Sequence, residues 1–108
     1  MRRIRPEEQL LILHLLQHLG LDKSEYPFGE EVDPYEGDVM GSISLGGDPK
    51  AYAGDLVQAR YTDTDGVPVV ITLTQDLEGR LLDLDFWKED FSKLLTYPKP
   101  ETLIFNSK

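Results

Sequence analysis

The stretch from Asp55 to Lys88 constrains the fold most, because it holds three strand-like runs separated by two turns that end in glycine. The runs are residues 56–61, 67–73 and 81–87. Successive side chains of a β-strand point to opposite faces, so apolar residues at every second position indicate a half-buried sheet. The third run shows the alternation best, and its two sets are Leu82, Leu84, Phe86 and Asp83, Asp85, Trp87. We therefore predict an antiparallel β-meander.

The two turns predict the register of this meander. Thr64-Asp65-Gly66 suits a three-residue hairpin whose last residue has positive φ, which glycine adopts without steric cost. Asp76-Leu77-Glu78-Gly79 suits a four-residue loop. The predicted cross-strand neighbours are Tyr61 and Val69, Ala59 and Ile71, Val57 and Leu73, then Leu73 and Leu82, Ile71 and Leu84, Val69 and Phe86. Both turns place the apolar sets on one face, and a slip of one residue in either would bury polar side chains.

An amphipathic helix is predicted over residues 6–19. Pro6 suits its first position, and Gly20 suits the C′ position that ends it, with Leu21 placed to make the apolar contact that accompanies this cap. At helical spacing one broad apolar stripe is formed by Leu11, Ile12, Leu15, Leu16 and Leu19. We expect this stripe to lie across the apolar face of the sheet.

Two motifs have metal-ligand spacing. His14 and His18 are four residues apart on the polar side of the helix, but the glutamate of a zinc-hydrolase helix is absent and no third ligand is indicated. Residues 63–66 resemble the start of a calcium loop, but the closing glutamate is missing and a hairpin turn explains them. We expect solvent-exposed histidines and predict no metal and no cofactor.

Residues 22–38 are rich in proline, glycine and carboxylates, which is typical of a loop. The segment also carries aromatic and acidic residues that include Tyr26, Phe28, Glu30, Glu31 and Tyr35. Two interpretations remain open. The aromatic residues pin the loop to the core, or residues 25–38 form an acidic, aromatic recognition surface for a basic partner.

The remaining segments predict lesser elements. Residues 39–45 have the pattern of a weak fourth strand at an edge of the sheet, and residues 88–95 that of a helical turn. Prolines then predict an extended C-terminal tail. For the apolar run 103–105 three outcomes are open: an edge strand, docking on the core, or pairing with another copy of the chain, since an uncovered apolar edge invites β-addition. The predicted fold class is α+β, with an N-terminal helix packed on an antiparallel β-meander of about four strands.

Length and charge limit the function. With 108 residues the chain predicts a single domain, 1–108, that is large enough for a core. Cysteine is absent, which excludes disulfides and thiolate metal sites, and no apolar stretch approaches the roughly 20 residues of a membrane span, so we expect a cytoplasmic protein. The net charge of −9 repels phosphate backbones and anionic lipid. We therefore expect no nucleic acid and no membrane as partner; the charge serves either a basic protein partner or solubility alone.

The outer face of the predicted sheet gathers the side chains best suited to chemistry. The predicted neighbours across it are Arg60 with Val70, Val70 with Asp85, Trp87 with Pro68, and a row of Gln58, Thr72 and Asp83. Carboxylates at positions i and i+2 of a strand are about 6–7 Å apart, which suits acid–base work or a cation but is also usual for a solvated strand. No residue here has an evident reason for a perturbed pKa, so catalysis is disfavoured.

Three segments resemble a known family. They are Arg3-Ile4-Arg5-Pro6-Glu7-Glu8 before the leucine-rich helix, Met40-Gly41-Ser42, and residues 84–92, whose most specific part is Trp87-Lys88-Glu89-Asp90-Phe91. Together they are similar to a family of small uncharacterised bacterial proteins, a domain of unknown function (DUF6984-like), over most of the chain. The resemblance implies no established activity and no site residues. Small acidic domains of this build are common among immunity proteins that neutralise toxins, which is an analogy of fold alone.

The leading hypothesis is a small acidic, non-enzymatic protein-binding module, immunity-protein-like, that uses residues 25–38 or the outer sheet face. The alternative is a small-ligand-binding domain or minor enzyme that uses the outer sheet face. The candidate binding residues are Arg60, Asp83, Asp85, Trp87, Tyr26, Phe28, Glu30, Glu31 and Tyr35. A deep pocket over Trp87 and Asp85 favours the ligand, whereas a flat acidic face favours the partner.

Overall fold

A computed structural model describes residues 2–35 and 41–105, which form one α-helix and seven strands. The helix α1 is Pro6–His18. The strands are β1 Arg2–Arg3, β2 Glu31–Pro34, β3 Ile43–Ser44, β4 Tyr52–Thr62, β5 Pro68–Asp76, β6 Leu81–Lys88 and β7 Ile104–Phe105. All pairs are antiparallel, in the order β1-β2-β3-β6-β5-β4-β7. The α+β class is confirmed, but the predicted count of about four strands is wrong.

The long strands β4, β5 and β6 form the predicted meander, while the additional strands are short. β1, β3 and β7 have two residues each and β2 has four. A strand of two residues shows no alternation, so its own sequence does not distinguish it from a loop. These segments are strands because each pairs with a neighbouring strand of the sheet.

The predicted register between β4 and β5 is confirmed. Val57 pairs with Leu73, Ala59 with Ile71, and Tyr61 with Val69. The turn closes as expected: the backbone N–H of Asp63 donates to the carbonyl of Val67 at 3.0 Å, and Gly66 has a φ of 83°.

The predicted register between β5 and β6 is wrong by two residues. The pairs are Leu73 with Leu84, Ile71 with Phe86, and Val69 with Lys88. One residue of the shift comes from the turn, where Asp76 still belongs to β5 and its N–H donates to the carbonyl of Arg80 at 2.9 Å, leaving a loop of residues 77–79.

The other residue comes from a β-bulge between the pairs Leu73–Leu84 and Gln75–Leu81. At the bulge the hydroxyl of Thr74 accepts the N–H of Asp83 at 3.0 Å. A shift of two residues leaves every side chain on its predicted face, so the apolar sets still coincide.

The core lies between α1 and the sheet. Leu11, Ile12, Leu15 and Leu16 are fully buried in one cluster with residues of the long strands. The helix ends as predicted in a Schellman motif, where Leu21 N donates to the carbonyl of Leu16 at 2.9 Å. Leu19 lies beyond the helix and is 40% exposed, so its predicted place in the stripe is wrong.

Three further predictions need correction. Residues 22–38 are not loop throughout, because β2 lies within them between β1 and β3; residues 36–38 lie outside the described residues. The predicted strand 39–45 is reduced to β3, which lies between β2 and β6 rather than at an edge; Val39 and Met40 lie outside the described residues.

The third correction concerns the segment after β6. Residues 88–95 form no helical turn, because Phe91 has a left-handed φ of 61°. The tail then contains a 3-10 turn, Pro100–Thr102, and β7. Of the three outcomes left open for residues 103–105, the edge strand is confirmed, since β7 pairs with β4.

Candidate functional site

The outer face of the sheet, opposite α1, carries a row of apolar, aromatic and basic side chains across four strands. Ile104 pairs with Arg60, Arg60 with Val70, and Val70 with Trp87. Ile104 is 57% exposed and Trp87 52%. The prediction that Val70 faces Asp85 is wrong, because the shift in β6 places Trp87 opposite Val70. Pro68, two residues from Val70 on β5, is then a diagonal neighbour of Trp87 and not its direct partner.

The next row is polar. Gln58 pairs with Thr72, and Thr72 with Asp85, while the predicted neighbour Asp83 pairs instead with Ser44 of β3. The side-chain amide of Gln58 donates to the hydroxyl of Thr72 at 3.1 Å. The same two-residue shift therefore exchanges Asp83 for Asp85 in this row.

Tyr35, which directly follows β2, joins this face, because its hydroxyl donates to Oδ1 of Asp83. Burial raises the pKa of Asp83, and the hydrogen bond from Tyr35, which stabilises the ionised carboxylate, opposes the rise. Burial, together with the bond to Asp83 and the negative charges of Asp83 and Asp85, raises the pKa of Tyr35. The hydroxyl of Tyr35 therefore stays protonated and remains a donor. A cationic group that approached Asp83 would favour its ionised form.

Trp87 and Phe91 form an exposed aromatic pair at the end of β6. Their ring centroids are 6.2 Å apart with the planes tilted by 51°, and Phe91 is 65% exposed. The backbone beneath is fixed, since Glu89 N donates to the carbonyl of Pro68 at 3.0 Å and Phe91 N to the carbonyl of Lys88 at 2.9 Å. Two large rings are thus held in solvent on an ordered support.

Lys88, next to this pair, points the opposite way and is fully buried. Its ammonium donates to Asp63 at 3.0 Å, to Asp65 at 2.6 Å and to the carbonyl of Lys93 at 2.9 Å. The N–H of Leu95 also donates to Asp63, at 2.9 Å. Burial opposes the charge of Lys88, but the two carboxylates outweigh it and raise its pKa. The cluster joins the β4–β5 turn, the end of β6 and the segment that follows.

Sequence reasoning missed this cluster, although a signal existed. Lys88 continues the alternation of Leu82, Leu84 and Phe86, which places it on the buried face. A lysine there needs a carboxylate partner, since an unpaired buried charge is prohibitively costly. The carboxylates of Asp63 and Asp65, interpreted as turn residues only, supply that partner.

The other candidate binding residues lie away from the outer face. Phe28 belongs to the core, and Tyr26 packs partly against it while its hydroxyl donates to Gln75 at 3.2 Å. Glu30 makes an exposed ion pair with Arg3 at 3.2 Å, and Glu31 pairs with Arg3 across β1 and β2. The structure therefore brings together Arg60, Asp83, Asp85, Trp87 and Tyr35, and separates them from the rest.

Four clefts lie elsewhere on the molecule. One of about 340 Å³ lies between the end of α1 and β4, where the ring of His18 stacks on Phe105 at 3.6 Å. One of about 330 Å³ lies between β1 and β2. Two, of about 200 and 570 Å³, share the side chains of Arg5, Lys93 and Tyr97. None of these four clefts is lined by Trp87, Asp83 or Asp85.

Residues 2–35 and 41–105 contain neither a candidate metal site nor a candidate membrane-spanning helix. No group of three or more His, Asp or Glu side chains there could hold a metal ion. No helix in the same ranges has the length and apolar character needed to cross a bilayer.

The fold and this face define a small acidic α+β domain, with one helix on an antiparallel sheet and aromatic and carboxylate groups on the open side. The family model described as "Domain of unknown function (DUF6984)" matches residues 1–98, and the chain belongs to this family. The match includes α1 and the meander and ends before β7. Neither the curated proteins nor the solved structures include a match.

Proposed function

We propose that the domain is a non-enzymatic protein-binding module whose contact surface is the outer face of the sheet. The observation that carries the proposal is the exposed pair of Trp87 and Phe91 beside the carboxylates of Asp83 and Asp85. Tryptophan and tyrosine are enriched among the residues that dominate binding energy at interfaces. Exposed apolar clusters on small domains commonly mark interaction sites.

The partner that this face suits is a basic protein surface. An arginine or lysine of the partner could stack on the ring of Trp87 while its charge meets Asp85. The net charge of −9 would speed the encounter at low ionic strength. An immunity-like role, in which the module covers the basic surface of a toxin, is one form of this function and rests on analogy of build.

The support beneath the face favours binding without rearrangement. β6 lies between β3 and β5, and Lys88 anchors its end on Asp63 and Asp65. Side chains held in place before binding lose less conformational entropy in the complex. The alternative, a small ligand or minor enzymatic activity on the same face, needs a cleft over Trp87 and Asp85, and the four clefts described above lie elsewhere.

The sole tryptophan of the chain makes the test direct, because its fluorescence reports on the outer face alone. Proteins retained by the wild-type domain but not by Trp87→Ala are identified and purified. Each is then titrated with the wild type, following tryptophan emission, and with Asp85→Asn and Leu77→Ala. Leu77 is 76% exposed in the β5–β6 turn and serves as the matched control.

We expect a basic partner, a change in Trp87 emission on binding, weaker binding of Asp85→Asn, and unchanged binding of Leu77→Ala. The difference in affinity between the wild type and Asp85→Asn should widen as the salt concentration is lowered, because the interaction that the variant loses is electrostatic and is screened by salt. A set of retained proteins that is the same for the wild type and for Trp87→Ala would refute the assignment of this face.

A further inference from the structure

Three basic side chains line one cleft of this acidic protein. Arg2, Arg5 and Lys93 surround a space of about 570 Å³ together with Tyr97, and the adjoining cleft of about 200 Å³ shares Arg5, Lys93 and Tyr97. They are three of only 11 basic residues in a chain with 20 acidic ones. Among the described residues that line the two clefts there is no carboxylate.

The positive charge of Arg2 is neutralised by a buried carboxylate. Glu8 is fully buried and accepts two hydrogen bonds from the guanidinium of Arg2, at 2.9 and 2.8 Å. It also accepts the backbone N–H of Arg5 at 2.8 Å. Burial alone would raise the pKa of Glu8, but the bonds from Arg2 and from the Arg5 backbone lower it. Glu8 is therefore ionised at neutral pH and cancels one of the three positive charges.

Arg5 and Lys93 keep their charges for the cleft. Within the described residues the guanidinium of Arg5 donates to a neutral group, because its Nη1 bonds the hydroxyl of Tyr97 at 3.0 Å. No carboxylate of the described residues lies within ion-pair distance of either Arg5 or Lys93. A guanidinium has five N–H donors and an ammonium three, so both retain donors for a ligand.

Tyr97 fixes the geometry of this group. Its hydroxyl donates to Oε2 of Glu8 at 3.2 Å and accepts from Arg5, and its ring meets Phe86 edge-on at 5.8 Å. The cation of Arg5 is thus held through Tyr97 by the same buried carboxylate that orients Arg2. Such a network positions donors before a ligand arrives.

We propose that this cleft binds an oxyanion, a phosphate or carboxylate group, between Arg5 and Lys93. Among the described residues no carboxylate pairs with either cation, and their N–H donors match the charge and the acceptors of such a group. The overall charge of −9 opposes anions, so local convergence of cations is what a site of this kind requires. The site is separate from the outer face, and neither proposal depends on the other.

The test is an amide NMR titration of the full chain with sodium phosphate and, separately, with sodium succinate, at ionic strength held constant with sodium chloride. The variants are Lys93→Gln and Arg5→Gln, and Lys50→Gln is the control because Lys50 is an exposed lysine that lines neither cleft. Lys93 contributes only its carbonyl to the Lys88 cluster, so Lys93→Gln retains that contact. Lys93→Gln therefore tests the anion site even if Arg5→Gln alters the fold.

We expect saturable shifts at the amides around Arg5 and Tyr97, with affinity about tenfold or more weaker in Lys93→Gln and unchanged in Lys50→Gln. Tighter binding of phosphate identifies a phosphate site, and tighter binding of succinate a carboxylate site. Shifts that fail to saturate with either anion, or an equal loss in Lys50→Gln, overturn the proposal.

Discussion

The ammonium of Lys88 lies 3.0 Å from Oδ2 of Asp63, and neither side chain is accessible to solvent. A buried ion pair is stable only when its remaining donors and acceptors are also bonded. Here the ammonium also donates hydrogen bonds to Asp65 and to the carbonyl of Lys93, and the carboxylate of Asp63 also accepts the N–H of Leu95. The segment after β6, which has no regular structure of its own, is thereby tied to the β4–β5 turn.

Replacing Lys88 with methionine should therefore destabilise the domain severely, because the charge of Asp63 would be left buried and unpaired. We expect the folding equilibrium constant in urea denaturation to fall by about a hundredfold or more. The double variant Asp63→Asn with Lys88→Met should recover part of the loss. Lys50→Met, at an exposed site, should change the constant by no more than about twofold. Equal effects at positions 88 and 50 would contradict the buried pair.

The carboxylate of Asp76 should make the unfolding free energy of the domain depend on pH in the acid range. Burial alone would raise its pKa, but the backbone N–H groups of Arg80, Asp48 and Glu78 and the guanidinium of Arg80 outweigh burial and lower the pKa to about 2. Because the folded pKa lies below the unfolded value, the unfolded chain takes up the proton first as the pH falls. The stabilisation is complete above about pH 4 and is lost between about pH 4 and 2.

The urea midpoint of Asp76→Asn, measured from pH 7 to 2, should thus be lower than that of the wild type at neutral pH and converge with it near pH 2. Leu77→Ala changes a neighbouring exposed residue without altering any titratable group, so its profile should run parallel to the wild type. Parallel profiles for Asp76→Asn and the wild type would show that this carboxylate does not cause the loss of stability at low pH.

Sequence reasoning succeeded where a pattern is long and local. The alternation in β4, β5 and β6 predicts which faces are buried, and it placed Arg60, Asp85 and Trp87 correctly on the outer side. The β4–β5 register followed from Gly66, whose turn has standard chemistry. A shift of two residues keeps every side chain on the same face, so the alternation does not distinguish the predicted β5–β6 register from the observed one.

Contacts between distant segments could not be predicted in the same way. The hydroxyl of Tyr97 meets Glu8 across 89 positions of the chain, and that of Tyr35 meets Asp83 across 48. Neither residue carries a local signal of its partner. The basic cleft around Arg5 depends on the first of these contacts, so only the fold discloses it.

The β-bulge predicts a difference between two threonines of β5. Thr74 is buried, and its hydroxyl accepts from the N–H of Asp83 at 3.0 Å, whereas Thr72 is partly exposed and bonds Gln58. Thr74→Val leaves a half-buried backbone N–H without its partner, at a cost of about 1–3 kcal/mol in urea denaturation. Thr72→Val removes a bond that water can replace, and valine suits a strand, so its effect should stay within about 0.5 kcal/mol. Equal unfolding free energies of Thr74→Val and Thr72→Val would show that the hydroxyl of Thr74 does not stabilise the bulge.

Gly47 lies where the chain before β4 packs closely against the backbone of β6. A Cβ built there would lie 2.8 Å from the carbonyl oxygen of Leu81 and 2.9 Å from Cα of Leu82, both backbone atoms that move only with β6. It would also lie 3.2 Å from Oδ2 of Asp76, the atom that accepts the N–H of Asp48 at 3.1 Å. Gly47→Ala must therefore push two backbone segments apart and weaken a bond to a buried carboxylate.

We expect Gly47→Ala to cost about 1–3 kcal/mol of unfolding free energy, as overpacking does. Gly29 is the matched control, since neither glycine has a positive φ and a Cβ on Gly29 would meet its nearest atom, Glu31 N, only at 4.0 Å. Gly29→Ala should leave stability unchanged or raise it by up to about 1 kcal/mol, because alanine restricts the unfolded chain. Since the two variants add the same methyl group, their difference in urea denaturation isolates the close approach at Gly47. A Gly47→Ala variant as stable as Gly29→Ala would mean that the backbone of residues 45–48 does not lie against β6 as described.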